Sequence, residues 1–242
     1  MEIELLNKLI NESNNIVFFG GAGVSTESGI RDFRGKNGLY KEKTNKYPPE
    51  YMLSHECLVY DTNLFFDYYR ENMNSSDIKP NVTHFYLKEL EDTGKLKAII
   101  TQNIDGLHQK AGSKNVLEIH GTTNRNYCMK CHKKYPSDYI FKSSGIPKCE
   151  CGGIIRPDVV LYGESLTDEY RKSIEYIKKA DLLIVAGTSL TVEPASSLIR
   201  YLNNAKLVII NVGSTPYDSL ADLVINKPLG EVFSKLKTLT IS

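Results

Sequence analysis

Apolar and polar positions along this chain follow two different periods. Short runs rich in β-branched and other apolar residues fall at 16–19, 96–101, 115–119, 181–186, 206–211 and 223–225, each bounded by Gly, Asn, Asp or Ser. Compact apolar runs between such residues are the mark of strands buried on both faces. Between them, 82–90, 168–179 and 194–202 repeat their apolar residues at helical spacing. The first fifteen residues form another amphipathic pattern, with Leu5, Leu6, Leu9 and Ile10 as its apolar positions. Strand alternating with helix predicts an α/β fold built on a doubly wound, Rossmann-like parallel sheet. Such sheets bind ligands beyond the carboxyl ends of their strands.

Two stretches break the alternation. Residues 35–80 are rich in Tyr, Lys, Asn and Phe, with helical patches and little strand character, and 125–155 hold four cysteines among polar residues. Both are expected to be insertions, one helical and one zinc-binding, that together make a smaller module. The nucleotide-binding domain is then left with 1–34, 81–124 and 156–242.

Composition narrows the function classes. The 242 residues can bury a sizeable core. Thirty Lys and Arg against 29 Asp and Glu give a formal net charge of +1, which argues against a nucleic-acid-coating protein. The longest apolar runs, such as 182–186, fall far short of the ~20 residues a membrane helix needs. Residues 1–15 lack the basic start and apolar block of a signal peptide. A cytoplasmic protein without nucleic-acid or membrane partners is expected. Four of the five cysteines lie between 128 and 151. In a reducing compartment that clustering suggests metal ligation more than disulfides.

Chemistry gathers at the predicted strand ends. After the first strand comes Gly20-Gly21-Ala22-Gly23-Val24-Ser25-Thr26, a turn that can bring backbone amides to a pyrophosphate. Thr26 replaces the third glycine of the usual dinucleotide fingerprint, and a ligand-free turn is the plainer alternative. Ordinary dehydrogenases need a second strand ending in Asp or Glu about 20 residues on. Residues 36–51 show no strand pattern; the turn instead runs into Arg31-Asp32-Phe33-Arg34, a loop suited to covering a nucleotide.

At the next strand end, Gln102, Asn103 and Asp105 offer directional hydrogen bonds for ribose hydroxyls and a carboxamide; a capped helix start is the alternative. His120 follows the third strand. A lone histidine is more often structural, but here it joins two other polar strand ends, which favours a general base. Cys128, Cys131, Cys149 and Cys151 follow the pattern Cys-x2-Cys-x17-Cys-x-Cys. Four thiolates close a tetrahedral zinc site with no open position, so the metal is structural. Redox thiols or a metal-free ribbon are the alternatives. Lys130, Lys133 and Lys134 fit the solvated face of a zinc module, and Cys57 a packed, inert thiol.

Taken together, these segments resemble the sirtuins, the NAD-dependent protein-lysine deacylases. The resemblance covers most of the chain: 21–35, 101–108, His120-Gly121, the cysteine quartet, RPDVVLYGE at 156–164, GTSLTVEPA at 187–195, and Asn211. It implies that Ala22, Thr26, Phe33 and Arg34 lie against NAD, with Phe33 shielding the reactive ribose carbon. Gln102 would meet the nicotinamide ribose, and Asn103, Ile104 and Asp105 would form the nicotinamide pocket. Thr188, Ser189, Asn211 and Leu229 match positions around the adenosine half. Val159, Val160, Leu161 and Tyr162 would line the acyl-lysine tunnel and pair with the substrate backbone as an added strand.

The implied reaction starts with attack of the acyl oxygen on the nicotinamide-ribose carbon and departure of nicotinamide. His120 then takes a proton from the ribose hydroxyls, and free lysine and an O-acyl-ADP-ribose result. The sequence departs from the family pattern at Arg31, where Pro is usual, at the short Cys149-Glu150-Cys151 pair, and at Tyr162, where Phe is frequent. Members that favour succinyl or malonyl groups carry Tyr-x-x-Arg on a helix. The matching positions here are Phe66 and Tyr69, with Arg70 one place late, about 100° around the helix. Uncharged acyl groups, acetyl included, are therefore expected over succinyl. The competing readings are an ADP-ribosyltransferase on the same fold and a zinc-ribbon module that only senses NAD.

Overall fold

The computed structural model describes residues 1–32, 38 and 47–240. Nine strands form two sheets: β1 (Ile16–Gly20), β2 (Leu96–Thr101), β3 (Val116–Glu118), β4 (Gly121–Cys128), β5 (Lys134–Pro136), β6 (Ile155–Val159), β7 (Leu182–Ala186), β8 (Lys206–Ile210) and β9 (Leu223–Ile225). The larger sheet is six-stranded, in the order β3-β2-β1-β7-β8-β9, with parallel pairing throughout. Every residue of β1 and β7 is buried, as their unbroken apolar runs require.

The longer helices cover both faces of that sheet. Ile16 and Phe18 pack with α1 (Glu2–Glu12), α5 (Val82–Asp92) and α9 (Leu229–Thr240) through Leu6, Leu87 and Phe233. Val17 and Phe19 point to the other face, against α8 (Glu169–Lys179) through Ile177. Strand order reverses at β1, with β2 on one side and β7 on the other. That switch point opens a crevice at the carboxyl ends of the strands.

The smaller sheet is antiparallel, in the order β5-β4-β6. A third apolar cluster joins its neighbourhood to α2 (Pro49–Met52), α3 (His55–Tyr60), α4 (Thr62–Met73) and α7 (Asp138–Phe141). Tyr69 stacks on both Phe65 and Phe141, so α4 and α7 share one core. The remaining α-helix is the short α6 (Leu107–Lys110).

Two elements differ from their sequence patterns. Residues 194–202 contain a 3₁₀ helix, Ala195–Tyr201, where an α-helix was expected. Ser197 Oγ donates to the Pro194 carbonyl three residues back at 2.6 Å, a local bond that competes with the α-helical ladder. In α1 the buried positions are Ile3, Leu6 and Ile10, whereas Leu5 is 43% exposed. Among the described residues no helix is long and apolar enough to cross a membrane.

Candidate active site

The turn after β1 is pressed against the end of β7. Gly21 N–H donates to Ala186 O at 3.1 Å and Gly23 N–H to Gly187 O at 2.8 Å. A Cβ on Gly23 would meet Gly187 Cα at 2.7 Å, and one on Gly21 would meet Thr188 Cβ at 2.7 Å. These glycines therefore let two strand-end loops touch, besides whatever they offer a phosphate. Thr26 stands exposed at the cleft, its hydroxyl donating to Gly23 O at 3.0 Å, and Ala22 is half-buried beside it.

The polar cluster after β2 forms a closed network. Asn103 Nδ2 donates to Ser25 Oγ at 3.1 Å, and Ser25 Oγ donates to Asp105 Oδ2 at 2.7 Å. Asp105 Oδ1 accepts Leu107 N–H at 2.9 Å, so this carboxylate also caps α6. Burial raises the Asp105 pKa, against the lowering effect of the Leu107 and Ser25 bonds. Ser25, which sequence reasoning left without a role, is the 1% exposed link between Asn103 and Asp105. Its available signal was a hydroxyl, one of two with Thr26, at the end of an otherwise small and apolar turn. Gln102 Nε2 reaches across the crevice to Thr188 Oγ1 at 3.2 Å.

His120 follows β3, with Nδ1 2.9 Å from the backbone carbonyl of Gln102. A carbonyl can only accept, so Nδ1 carries the proton and Nε2 keeps its lone pair. Burial lowers the His120 pKa below 6.5, and the bond to Gln102 opposes that only in part. The ring is therefore neutral at pH 7, as a base must be.

Residues 159–164 form another wall, tied down from within. Val160 N–H donates to His120 O at 2.9 Å, Leu161 N–H to Glu164 Oε2 at 2.9 Å, and Tyr162 N–H to Leu53 O at 3.1 Å. His55 N–H donates to Tyr162 O at 3.0 Å. The expected pairing of a substrate along 159–162 thus meets amides already in use. Gly163 is exposed, and its peptide N–H has no partner among the described residues.

One cleft of 850 Å³ contains all of these groups. It is lined by the predicted Ala22, Thr26, Gln102, Asn103, Ile104 and Asp105, by His120, and by Val159, Val160, Leu161 and Tyr162. Thr188, Ser189, Asn211 and Leu229 line the side formed by the ends of β7 and β8 and the start of α9. Phe33 and Arg34 lie outside the described residues; Arg31 and Asp32, next to them, reach the cleft.

The four cysteines converge away from the cleft. Their sulfurs all lie within 4.8 Å of one another, with Cys128 and Cys151 at 3.5 Å and Cys131 and Cys149 at 3.6 Å. Zinc–sulfur bonds of about 2.3 Å in a tetrahedron place sulfurs ~3.8 Å apart, so the set fits zinc despite the short second pair. The Tyr135 hydroxyl donates to Cys149 Sγ at 3.0 Å and supports the charge of that thiolate. The four cysteines are positioned to bind a structural zinc.

A parallel sheet with a polar crevice at its switch point, joined to a closed four-thiol module, defines a nucleotide-binding α/β protein with a structural metal. The Sir2 family model matches residues 21–194, and the chain belongs to that family. A Clostridium acetobutylicum protein named NAD-dependent protein deacetylase is 57% identical over 96% of both chains. A Sir2 histidine-to-alanine variant solved with deacetylated p53 peptide and 3′-O-acetyl ADP ribose superposes with TM-score 0.90. It is 39% identical over 99% of this chain and 98% of its own. Sir2 with p53 peptide and NAD+ gives TM-score 0.88 at 38% identity, over 100% of both chains.

Proposed function

We propose that this chain is an NAD-dependent protein-lysine deacetylase, releasing nicotinamide, an O-acyl-ADP-ribose and free lysine. The observation that carries this reading is the neutral His120, its free Nε2 sharing one cleft with the Asn103–Ser25–Asp105 network. NAD supplies an activated ribose carbon and a nicotinamide leaving group. Asn103, Ile104 and Asp105 hold the carboxamide end, and Gln102 the adjoining ribose. Thr188, Ser189, Asn211 and Leu229 take the adenosine half, with Ala22 and Thr26 along the phosphates and reactive ribose.

His120 Nε2 accepts a proton from the ribose hydroxyls, which frees an oxygen to attack the acyl carbon. Val159 to Tyr162 surround the acyl-lysine chain. The cysteine site holds its module in place and takes no part in the chemistry. Thiolate ligands need reduced cysteines, which supports placing the protein in the cytoplasm.

Transfer of ADP-ribose to protein is the second reading. The complete cleft and the deacetylase relative favour deacetylation over it. The test incubates the protein with NAD and an acetyl-lysine peptide, following nicotinamide and peptide mass beside a His120→Ala control. Loss of the acetyl mass in step with nicotinamide, absent in the control, supports the proposal. Nicotinamide release with the acetyl group retained overturns it in favour of ADP-ribosyl transfer.

A further inference from the structure

Arg156 lies in the interior with 6% of its surface exposed. Its guanidinium grips Glu164 with both outer nitrogens, Nη1 to Oε1 at 2.5 Å and Nη2 to Oε2 at 3.0 Å. Nη2 also donates to Val159 O at 2.8 Å. The Glu164 carboxylate accepts in turn from Leu161 N–H at 2.9 Å and faces His55 Nδ1 at 2.9 Å. One ion pair therefore fastens both ends of the 159–164 wall and anchors it to the start of α3.

Glu164 belongs to the cleft wall, and the roles assigned to that wall so far make no use of its pairing with Arg156. Arg156 does not line the cleft. Removing its bonds to Val159 O and Glu164 would loosen the turn that carries Leu161 and the open Gly163 amide, while backbone bonds to His120, Leu53 and His55 still hold Val160 and Tyr162. Two-point guanidinium–carboxylate pairs fix orientation as well as distance, which a point charge cannot do.

We propose that Arg156 and Glu164 are positioning residues for the acyl-peptide substrate, holding 159–164 in the shape that receives the peptide, and that NAD binding does not depend on them. This inference rests on the deacetylase reading. NAD contacts are assigned to the ends of β1, β2, β7 and β8, while the ion pair bonds to the 159–164 segment and to His55.

The test measures steady-state kinetics for the wild type, Glu164→Gln and Arg156→Lys, varying acetyl-lysine peptide and NAD separately. Glu164→Gln keeps the shape and loses the charge; Arg156→Lys keeps the charge and loses the fork. Both variants are expected to raise the peptide KM about tenfold or more, with the NAD KM within about twofold of wild type. A peptide KM unchanged in both variants overturns the inference. So does an equal rise in both KM values, which marks a general structural role. If either variant lacks a cooperative melt, Glu164→Asp is read on the same two constants. A wild type that leaves the acetyl group in place overturns the deacetylase reading itself, and this inference with it.

Discussion

The backbone carbonyl of Gln102 fixes the imidazole of His120 through Nδ1 at 2.9 Å, so the residue assigned to the ribose also orients the base. The pKa of His120 lies below 6.5 because the ring is buried. A base is active when unprotonated, so the midpoint of the acid limb should lie below pH 6.5. The acid limb of kcat/KM against pH reports this value directly. His120→Ala should lose about 10²–10⁴-fold in peptide deacetylation and retain NAD binding by titration. An acid limb centred above pH 7 would contradict the burial argument.

The acyl pocket should prefer neutral groups. Arg70, one place after the succinyl-type position, turns toward α7 and the loop after it. Its Nε donates to Ile140 O at 3.1 Å and its Nη2 to Ser143 Oγ at 3.2 Å and to Gly145 O. Tyr69, one residue earlier, lines the cleft, and its buried hydroxyl has no hydrogen-bond partner among the described residues. A succinyl carboxylate would lose water there without gaining a cation. Acetyl-lysine peptide should exceed succinyl-lysine peptide by about tenfold or more in kcat/KM, where each tenfold is ~1.4 kcal/mol. Comparable turnover of the two peptides would defeat the claim.

The parallel sheet and its strand-end chemistry were legible because both are written locally. Buried strands give unbroken apolar runs, and His120 and the 101–108 cluster directly follow two of them. What was not legible depends on contacts distant in sequence. Ser25 gains its importance from Asn103 and Asp105, and no spacing rule links a β1 turn to a β2 turn. The engaged amides of 160–162 depend on His120, Leu53 and Glu164. Residues 194–202 show helical spacing, but periodicity alone does not separate a seven-residue 3₁₀ helix from an α-helix.

Zinc removal should damage more than the cysteine loop. Cys128 and Cys149 are buried in the same apolar cluster as Phe65, Phe66 and Leu161, so the metal site and the peptide wall share packing. Metal analysis is expected to find one zinc per chain. A loss of only ~4 kcal/mol lowers the melting temperature of a chain this size by roughly 10 °C. Chelation and Cys149→Ser should each produce at least that shift, with deacetylation lost in parallel. A chelated protein that melts unchanged would mean that the four thiols hold no structural metal.

Acid should destabilise the fold through two histidines remote from the catalytic base. His84 and His108 lie with ring centroids 4.8 Å apart, and His108 also meets the edge of Phe18. Asn81 N–H donates to His84 Nδ1 at 3.2 Å, while His84 Nε2 and both nitrogens of His108 are buried without partners among the described residues. Burial takes the His84 pKa down to about 4. It takes that of His108 well below 6.5, with His84 adding to the effect. The folded state thus holds both rings neutral, whereas the unfolded chain protonates them below about pH 6.5. Their contribution is complete above that pH and is lost as pH falls toward 4. Each should cost about 1.4 kcal/mol per pH unit through this window. Carboxylates with ordinary pKa values titrate mostly below pH 5, but His120, also lowered by burial, shares the window between about pH 6.5 and 5, so the pair is read in urea unfolding as the part of the slope that its own substitutions remove. The expected slope there is roughly 2–3 kcal/mol per unit. His108→Met should flatten it by about 1 kcal/mol per unit, the share of one ring, and a wild-type stability that stays level across that range would refute the assignment.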